Sequence, residues 1–116
     1  MLDLNHLHLH VRDLERSQRF YEAHFGFHER VRHGDILFLR NDDGFDLALI
    51  PDPQPAALPG WFHFGFRLPT EAAVREFQAR LVAAGERLPR PLVDEEDMVS
   101  LRVCDPDGYT IEVYWE

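Results

Sequence analysis

Three histidines stand at alternate positions in the run Leu4-Asn5-His6-Leu7-His8-Leu9-His10-Val11, and a fourth lies in a second alternating run, Trp61-Phe62-His63-Phe64-Gly65-Phe66-Arg67-Leu68. Period-two alternation is the pattern of a half-buried strand, whose successive side chains point to opposite faces. One face of the first run then carries His6, His8 and His10. One face of the second carries Trp61, His63, Gly65 and Arg67 against Phe62, Phe64, Phe66 and Leu68. The same alternation sets Ser100, Arg102 and Cys104 opposite Val99, Leu101 and Val103, and Thr110, Glu112 and Tyr114 opposite Ile111, Val113 and Trp115. The polar sets are expected to line one concave surface. Imidazoles beside a carboxylate are donors for first-row divalent metals or groups that move protons. Arg67 and Arg102 offer fixed donors to an anion, with pairing to a nearby acid as the plainer use. Trp61 and Tyr114 can stack on a flat ligand or simply fill the cup.

The elements that must hold these residues repeat. After the first run, Asp13 is placed to cap a helix that runs to about Phe25, with Gly26 as its left-handed stop. Strands are expected near residues 27–33, 35–40 and 45–50, with Asn41-Asp42-Asp43-Gly44 turning between the last two. Residues 51–60 hold four of the eight prolines and read as a linker. The second unit follows the same plan: a strand over 61–68, a helix capped by Thr70 with Ala73, Val74, Phe77, Leu81 and Ala84 on one face, and Gly85 as its stop. Strands near 86–93, 98–104 and 109–115 complete it, the last two joined by Asp105-Pro106-Asp107-Gly108. The expected fold is α+β, a single domain over residues 1–116 of two βαβββ modules forming a cup-shaped mixed sheet. Module one covers about 1–50 and module two about 61–116. Each sheet is covered by its helix on one face only.

At 116 residues the chain suffices for a core without disulfides, and 45% hydrophobic with 28% charged residues is ordinary for a globular protein. A net charge of −9, with no basic cluster, leaves no positive footprint for nucleic acid. No apolar run approaches a membrane span, no secretory leader is visible and Cys104 stands alone, so a cytoplasmic protein is expected.

Several motifs together resemble the vicinal-oxygen-chelate superfamily, which includes glyoxalase I, bleomycin-resistance proteins, fosfomycin-resistance thiol transferases and extradiol dioxygenases. They are Leu4-Asn5-His6-Leu7, Val11-Arg12-Asp13-Leu14-Glu15-Arg16-Ser17 leading to Phe20-Tyr21, Phe25-Gly26-Phe27, Phe64-Gly65-Phe66, and Asp105-Pro106-Asp107-Gly108-Tyr109 leading to Ile111-Glu112-Val113. The resemblance covers essentially the whole chain and implies the fold more than any one reaction. It further implies metal ligands from strand one, from the start of strand five and from strand eight. The first falls on His6 and the last on Glu112. The middle one falls on Trp61, which cannot bind a metal, and the equivalent place in the first unit on Ala48. His63, two residues beyond Trp61 on the same face, is the substitute, and the repeat is taken to match it with His8 and His6 with Trp61. Residues at i and i+2 of a strand start about 6–7 Å apart, within reach of one shared ion.

Two functions are therefore open. In the first, a divalent metal (Fe, Mn, Ni or Zn) held by His6, His63 and Glu112, with His8 an alternative to His6, serves lyase, isomerase or dioxygenase chemistry. His8, His10 or His63 then acts as the general base, while Trp61, Arg67, Arg102 and Tyr114 bind the substrate. In the second, a metal-free protein binds a small molecule or antibiotic by stacking on Trp61. A homodimer is implied by the resemblance. His24, His28 and His33 are expected at the surface, Cys104 as a packing residue and Asp94-Glu95-Glu96-Asp97 as a solvated loop.

Overall fold

A computed structural model describes all residues from Met1 to Glu116. The chain divides into two compact units, Met1–Ala57 and Leu58–Glu116, with the boundary inside the proline-rich stretch.

The first unit contains β1 (His6–Val11), α1 (Leu14–Phe25), β2 (His28–His33), β3 (Ile36–Arg40) and β4 (Asp46–Pro51). Its sheet has the order β1-β4-β3-β2, with β1 parallel to β4 and the other pairs antiparallel. Asp13 caps α1 by accepting from the Arg16 amide at 3.1 Å, and Gly26, at φ 69°, ends it. The helix lays Ser17, Phe20 and Tyr21 on the sheet, where Leu9, Val11, Phe27, Leu37, Leu39, Leu47 and Leu49 are all buried. These alternate along their strands with the residues of the opposite face. β1 begins at His6, two residues later than expected, and Leu4 is 92% exposed.

The second unit contains β5 (Phe64–Arg67), α2 (Glu71–Ala83), β6 (Arg90–Glu95), β7 (Met98–Cys104) and β8 (Thr110–Trp115), in the order β5-β8-β7-β6. The topology is that of the first unit, β5 running parallel to β8. Thr70 caps α2 through the Ala73 amide at 3.1 Å. Val74, Phe77 and Leu81 pack over a core that includes Val99, Leu101, Val103, Ile111 and Val113. The duplicated βαβββ plan is thus present in both units.

Three further boundaries differ from the sequence reading. β5 starts at Phe64 rather than residue 61, because the Phe62 amide closes a turn on the Pro59 carbonyl at 2.9 Å. That commitment takes Trp61 out of the ladder. β6 starts at Arg90 rather than residue 86: the Glu86 amide is bonded to the Leu81 carbonyl at the end of α2. The acidic run is not a loop throughout. Asp94 and Glu95 complete β6, paired with Val99 and Met98, and only Glu96 and Asp97 form the turn.

Both sheets carry a register shift in their outermost strand, between Glu29 and Val31 in β2 and between Arg90 and Val93 in β6. An extra residue in one strand bends it and re-aims nearby side chains. Beside each irregularity lies an arginine, Arg30 or Arg90, that reaches a carboxylate two strands away.

Candidate functional site

The polar face of the second unit is ordered by its ladder. Gly65, Glu112, Arg102 and Arg90 are successive cross-strand partners on β5, β8, β7 and β6. They form one row across the sheet. A Cβ at position 65 would lie 3.0 Å from the Glu112 carbonyl oxygen and 3.4 Å from its Cβ, so glycine permits the close approach of β5 to β8.

Glu112 is the centre of this face, its side chain 15% exposed. Its Oε2 lies 3.3 Å from Arg90 Nη2 and 3.7 Å from Arg102 Nε, while Oε1 lies 3.9 Å from His63 Nε2. Arg90 also donates to the Ser100 hydroxyl at 2.6 Å. His63 stands at the entry to β5, outside the ladder, and its Nδ1 lies 3.1 Å from the Trp61 carbonyl. A carbonyl only accepts, so Nδ1 donates to it, and Nε2 is the nitrogen turned to Glu112. Trp61 itself is 75% exposed. Arg67 donates to the Glu116 carbonyl, and Tyr114 is half-buried beside Arg67 and Ser100 in the ladder.

In the first unit, His6, His8 and His10 are all exposed on the face of β1 away from α1. His6 Nδ1 bonds the Asn5 side-chain oxygen at 3.0 Å, which leaves His6 in the same tautomer as His63. His8 tilts against His10 with ring centroids 5.2 Å apart, and His10 Nδ1 bonds Asp52 at 2.9 Å. That hydrogen bond holds the Asp52 carboxyl below its ordinary range.

A second carboxylate, Asp46, is buried on β4. Arg40 grips it in a fork, Nε at 2.7 Å and Nη2 at 3.0 Å, and Arg30 adds a bond at 3.1 Å. The hydrogen bond from Arg40 outweighs burial and lowers the Asp46 carboxyl below its ordinary value. This cluster clips β2, β3 and β4 together.

The ladders revise the matching of the two units. β1 pairs His8 with Ala48, and β5 pairs Gly65 with Glu112. Ala48 and Glu112 each lie four residues beyond the glycine that closes the Asp-rich turn, so His8 answers to Gly65. His6 then answers to His63, and Trp61 answers to Leu4. The two capping residues, Asp13 and Thr70, keep the same spacing. The expected match of His6 with Trp61 and of His8 with His63 is thus wrong by two residues. Trp61 is a turn residue next to the site, and the strand-five position belongs to His63.

Ser100 and Cys104 keep the face that alternation gives them but are buried there: Ser100 accepts from Arg90, and burial pushes the Cys104 thiol up. Arg90 and Asp52 were not anticipated as part of either face. His28 and His33 are exposed as expected, and the His24 ring meets Phe20 edge-on at 5.1 Å.

Within neither unit do three or more His, Cys, Asp or Glu side chains converge to hold a metal ion. The donor chemistry at Glu112 nevertheless suits one. His63 presents Nε2 with its other nitrogen anchored on a carbonyl, the arrangement by which protein histidines are oriented toward metals. That nitrogen lies 3.9 Å from a Glu112 carboxylate oxygen. His6 has the same tautomer, anchored on Asn5.

Both units thus share the βαβββ plan, and the second sheet carries an imidazole and a carboxylate on its open face. The chain belongs to the Glyoxalase/Bleomycin resistance protein/Dioxygenase superfamily, whose family model matches residues 3–113. It is 33% identical to a catechol-2,3-dioxygenase of Bacillus subtilis over 113 residues, covering 91% of this chain and 39% of that protein. It is 36% identical over 91 residues to an uncharacterized protein of Pseudomonas aeruginosa, covering 71% of this chain and 65% of the relative. The chain therefore spans less than two thirds of either relative. A solved structure of a possible glyoxalase from Bacillus cereus superimposes with a TM-score of 0.83 at 30% identity, over 97% of this chain and 98% of that one. No helix is long and apolar enough to cross a membrane.

Proposed function

We propose that the protein processes a small molecule with a divalent metal held at His63 and Glu112 of the second unit. The observation that carries this reading is the His63–Glu112 pair, an anchored imidazole whose Nε2 faces a carboxylate oxygen at 3.9 Å. An imidazole and a carboxylate suit Fe, Mn, Ni or Zn. Such an ion, when bound, supplies Lewis acidity toward vicinal oxygens of a substrate. This serves lyase, isomerase or dioxygenase chemistry, and the dioxygenase and glyoxalase relatives favour those classes.

The chain's own residues take the remaining roles. Asp52 fixes the His10 ring, which suits His10 to proton transfer, with His8 as its neighbour. Trp61 offers an exposed flat surface for an aromatic substrate, and Arg67, Arg102 and Tyr114 line the same face of the second sheet as Glu112. Association as a homodimer in the cytoplasm is part of the proposal. Metal analysis of protein purified without an affinity tag tests it. About one equivalent per chain is expected, falling to background in His63→Ala and Glu112→Ala variants that still fold. Equal metal content in wild type and variants overturns it. Light scattering at the mass of a monomer overturns the dimer.

The 75% exposure of Trp61 favours a second reading, metal-free binding of a planar compound. Thermal shifts with aromatic compounds in chelator-treated protein, abolished by Trp61→Ala, support that alternative.

A further inference from the structure

The two sheets carry the same three charges in different states. Each has one carboxylate and two arginines, and each arginine pair includes one from beside the register shift. In the first unit the donors are spent: Arg40 makes a two-point fork with Asp46 at 2.7 and 3.0 Å, and Arg30 completes it. Charge-assisted bonds of that length are about as short as such contacts become. In the second unit the Glu112 contacts are 3.3 Å and 3.7 Å, and neither arginine forms a fork. The Nε atoms of Arg90 and Arg102 are buried and lack a hydrogen-bond partner. The guanidinium of Arg102 makes no hydrogen bond, its contact with Glu112 being too long for one.

Buried donors without acceptors are costly, and native structures rarely leave two side by side. Two guanidiniums against one carboxylate also leave a surplus positive charge on this face. Both side chains keep about a third of their surface open, 37% for Arg90 and 30% for Arg102, so their outer nitrogens are accessible. The contrast with the saturated Asp46 cluster shows that this composition can be closed completely. At Glu112 it is not.

We infer that Arg90 and Arg102 form an oxyanion-binding subsite beside Glu112, which takes a carboxylate or phosphate group of the substrate. Guanidinium forks fit both groups, because each presents paired oxygens at matching spacing. The assignment deepens the proposed function by naming a substrate class, an anionic small molecule. It rests on that reading only in making the Glu112 face the substrate site, because anion binding by the arginines requires no metal.

The test uses the full chain in excess chelator, so that failure of the metal reading leaves the outcome unaffected. Arginine Nε–H resonances are followed by NMR while sodium phosphate, sodium acetate or sodium chloride is added at matched ionic strength. Saturable shifts of the Arg90 and Arg102 resonances with phosphate or acetate, and none with chloride, are expected. The stronger of the two oxyanions identifies the group. Arg90→Gln and Arg102→Gln should each weaken binding at least about tenfold, equivalent to one lost charged contact. Arg80→Gln, on the exposed side of α2, should leave it unchanged. Absence of any saturable shift, or equal shifts with chloride, overturns the inference. Because the wild-type titration stands alone, misfolding of a variant does not blunt the test.

Discussion

Replacing Gly65 by alanine probes the row on which the candidate site is built. The added Cβ would sit 3.0 Å from the Glu112 carbonyl oxygen and 3.4 Å from the Glu112 Cβ. Both are closer than an ordinary contact of about 3.5–4.0 Å. The obstruction is backbone, not a flexible side-chain tip, so β5 and β8 must separate by a few tenths of an ångström. β5 is a four-residue edge strand with β8 as its single ladder neighbour, which lets it yield partly. The expected cost is therefore about 1–2 kcal/mol, in the lower part of the range for overpacking. For 116 residues this lowers Tm by roughly 4–8 °C. Gly60→Ala is the control. No atom lies within 4 Å of its added Cβ and its φ is not positive, so it should be neutral or stabilising by about 0.4–1 kcal/mol. Calorimetry of both variants checks the pair, and metal and phosphate binding by Gly65→Ala should weaken as Glu112 shifts. A Gly65→Ala protein as stable as wild type would refute the close approach of β5 to β8 as a packing constraint.

Other expectations concern stability and reactivity. The Asp46 carboxyl is held below its ordinary value of 3.8 in the folded chain, chiefly by the Arg40 hydrogen bond. The stability it contributes is thus complete above that value and drains away as pH falls through the lower folded one. Asp46→Asn should cost about 1–2 kcal/mol at neutral pH in urea unfolding, with the difference shrinking as pH falls below the ordinary carboxylate range. Asp13→Ala and Thr70→Ala each remove a helix cap and should cost about 1 kcal/mol, read from the same urea curves. Cys104 is buried and its thiol is raised by that burial, so iodoacetamide should label it slowly in native protein and readily in urea. Rapid labelling of the native chain contradicts the buried placement.

The alternation of β1, β7 and β8 was legible because each strand is apolar on one face and polar on the other. Leu9 and Val11, Val99 and Leu101, and Ile111 and Val113 are buried as the period-two pattern requires. Helix caps were equally readable, since Asp13 and Thr70 each precede a helical stripe. Arg90 was not. In simple alternation it shares a face with Leu88 and Leu92, and only the register shift before Val93 turns it toward Arg102. The start of β5 was misread because Trp61 and Phe62 continue the alternation, whereas the Pro59–Phe62 turn withdraws them from pairing. The identity of His63 as the counterpart of His6 followed from hydrogen-bonded registers, which residue spacing alone left ambiguous. The Arg40–Asp46 fork was hidden for a similar reason, because its members come from different strands.

The unequal charge clusters bear on how the duplicated halves can diverge. In the first sheet, Arg30, Arg40 and Asp46 satisfy one another, so substitution there is registered as lost folding stability. In the second, Arg102 makes no hydrogen bond, so its replacement leaves the sheet largely intact while altering what it binds, whereas Arg90 also holds Ser100 and Glu112. Drift at the two clusters is therefore constrained in the first by the survival of the fold and in the second by selection on the ligand. A change of anion specificity is most readily reached through Arg102, with the Asp46 cluster as a fixed clip.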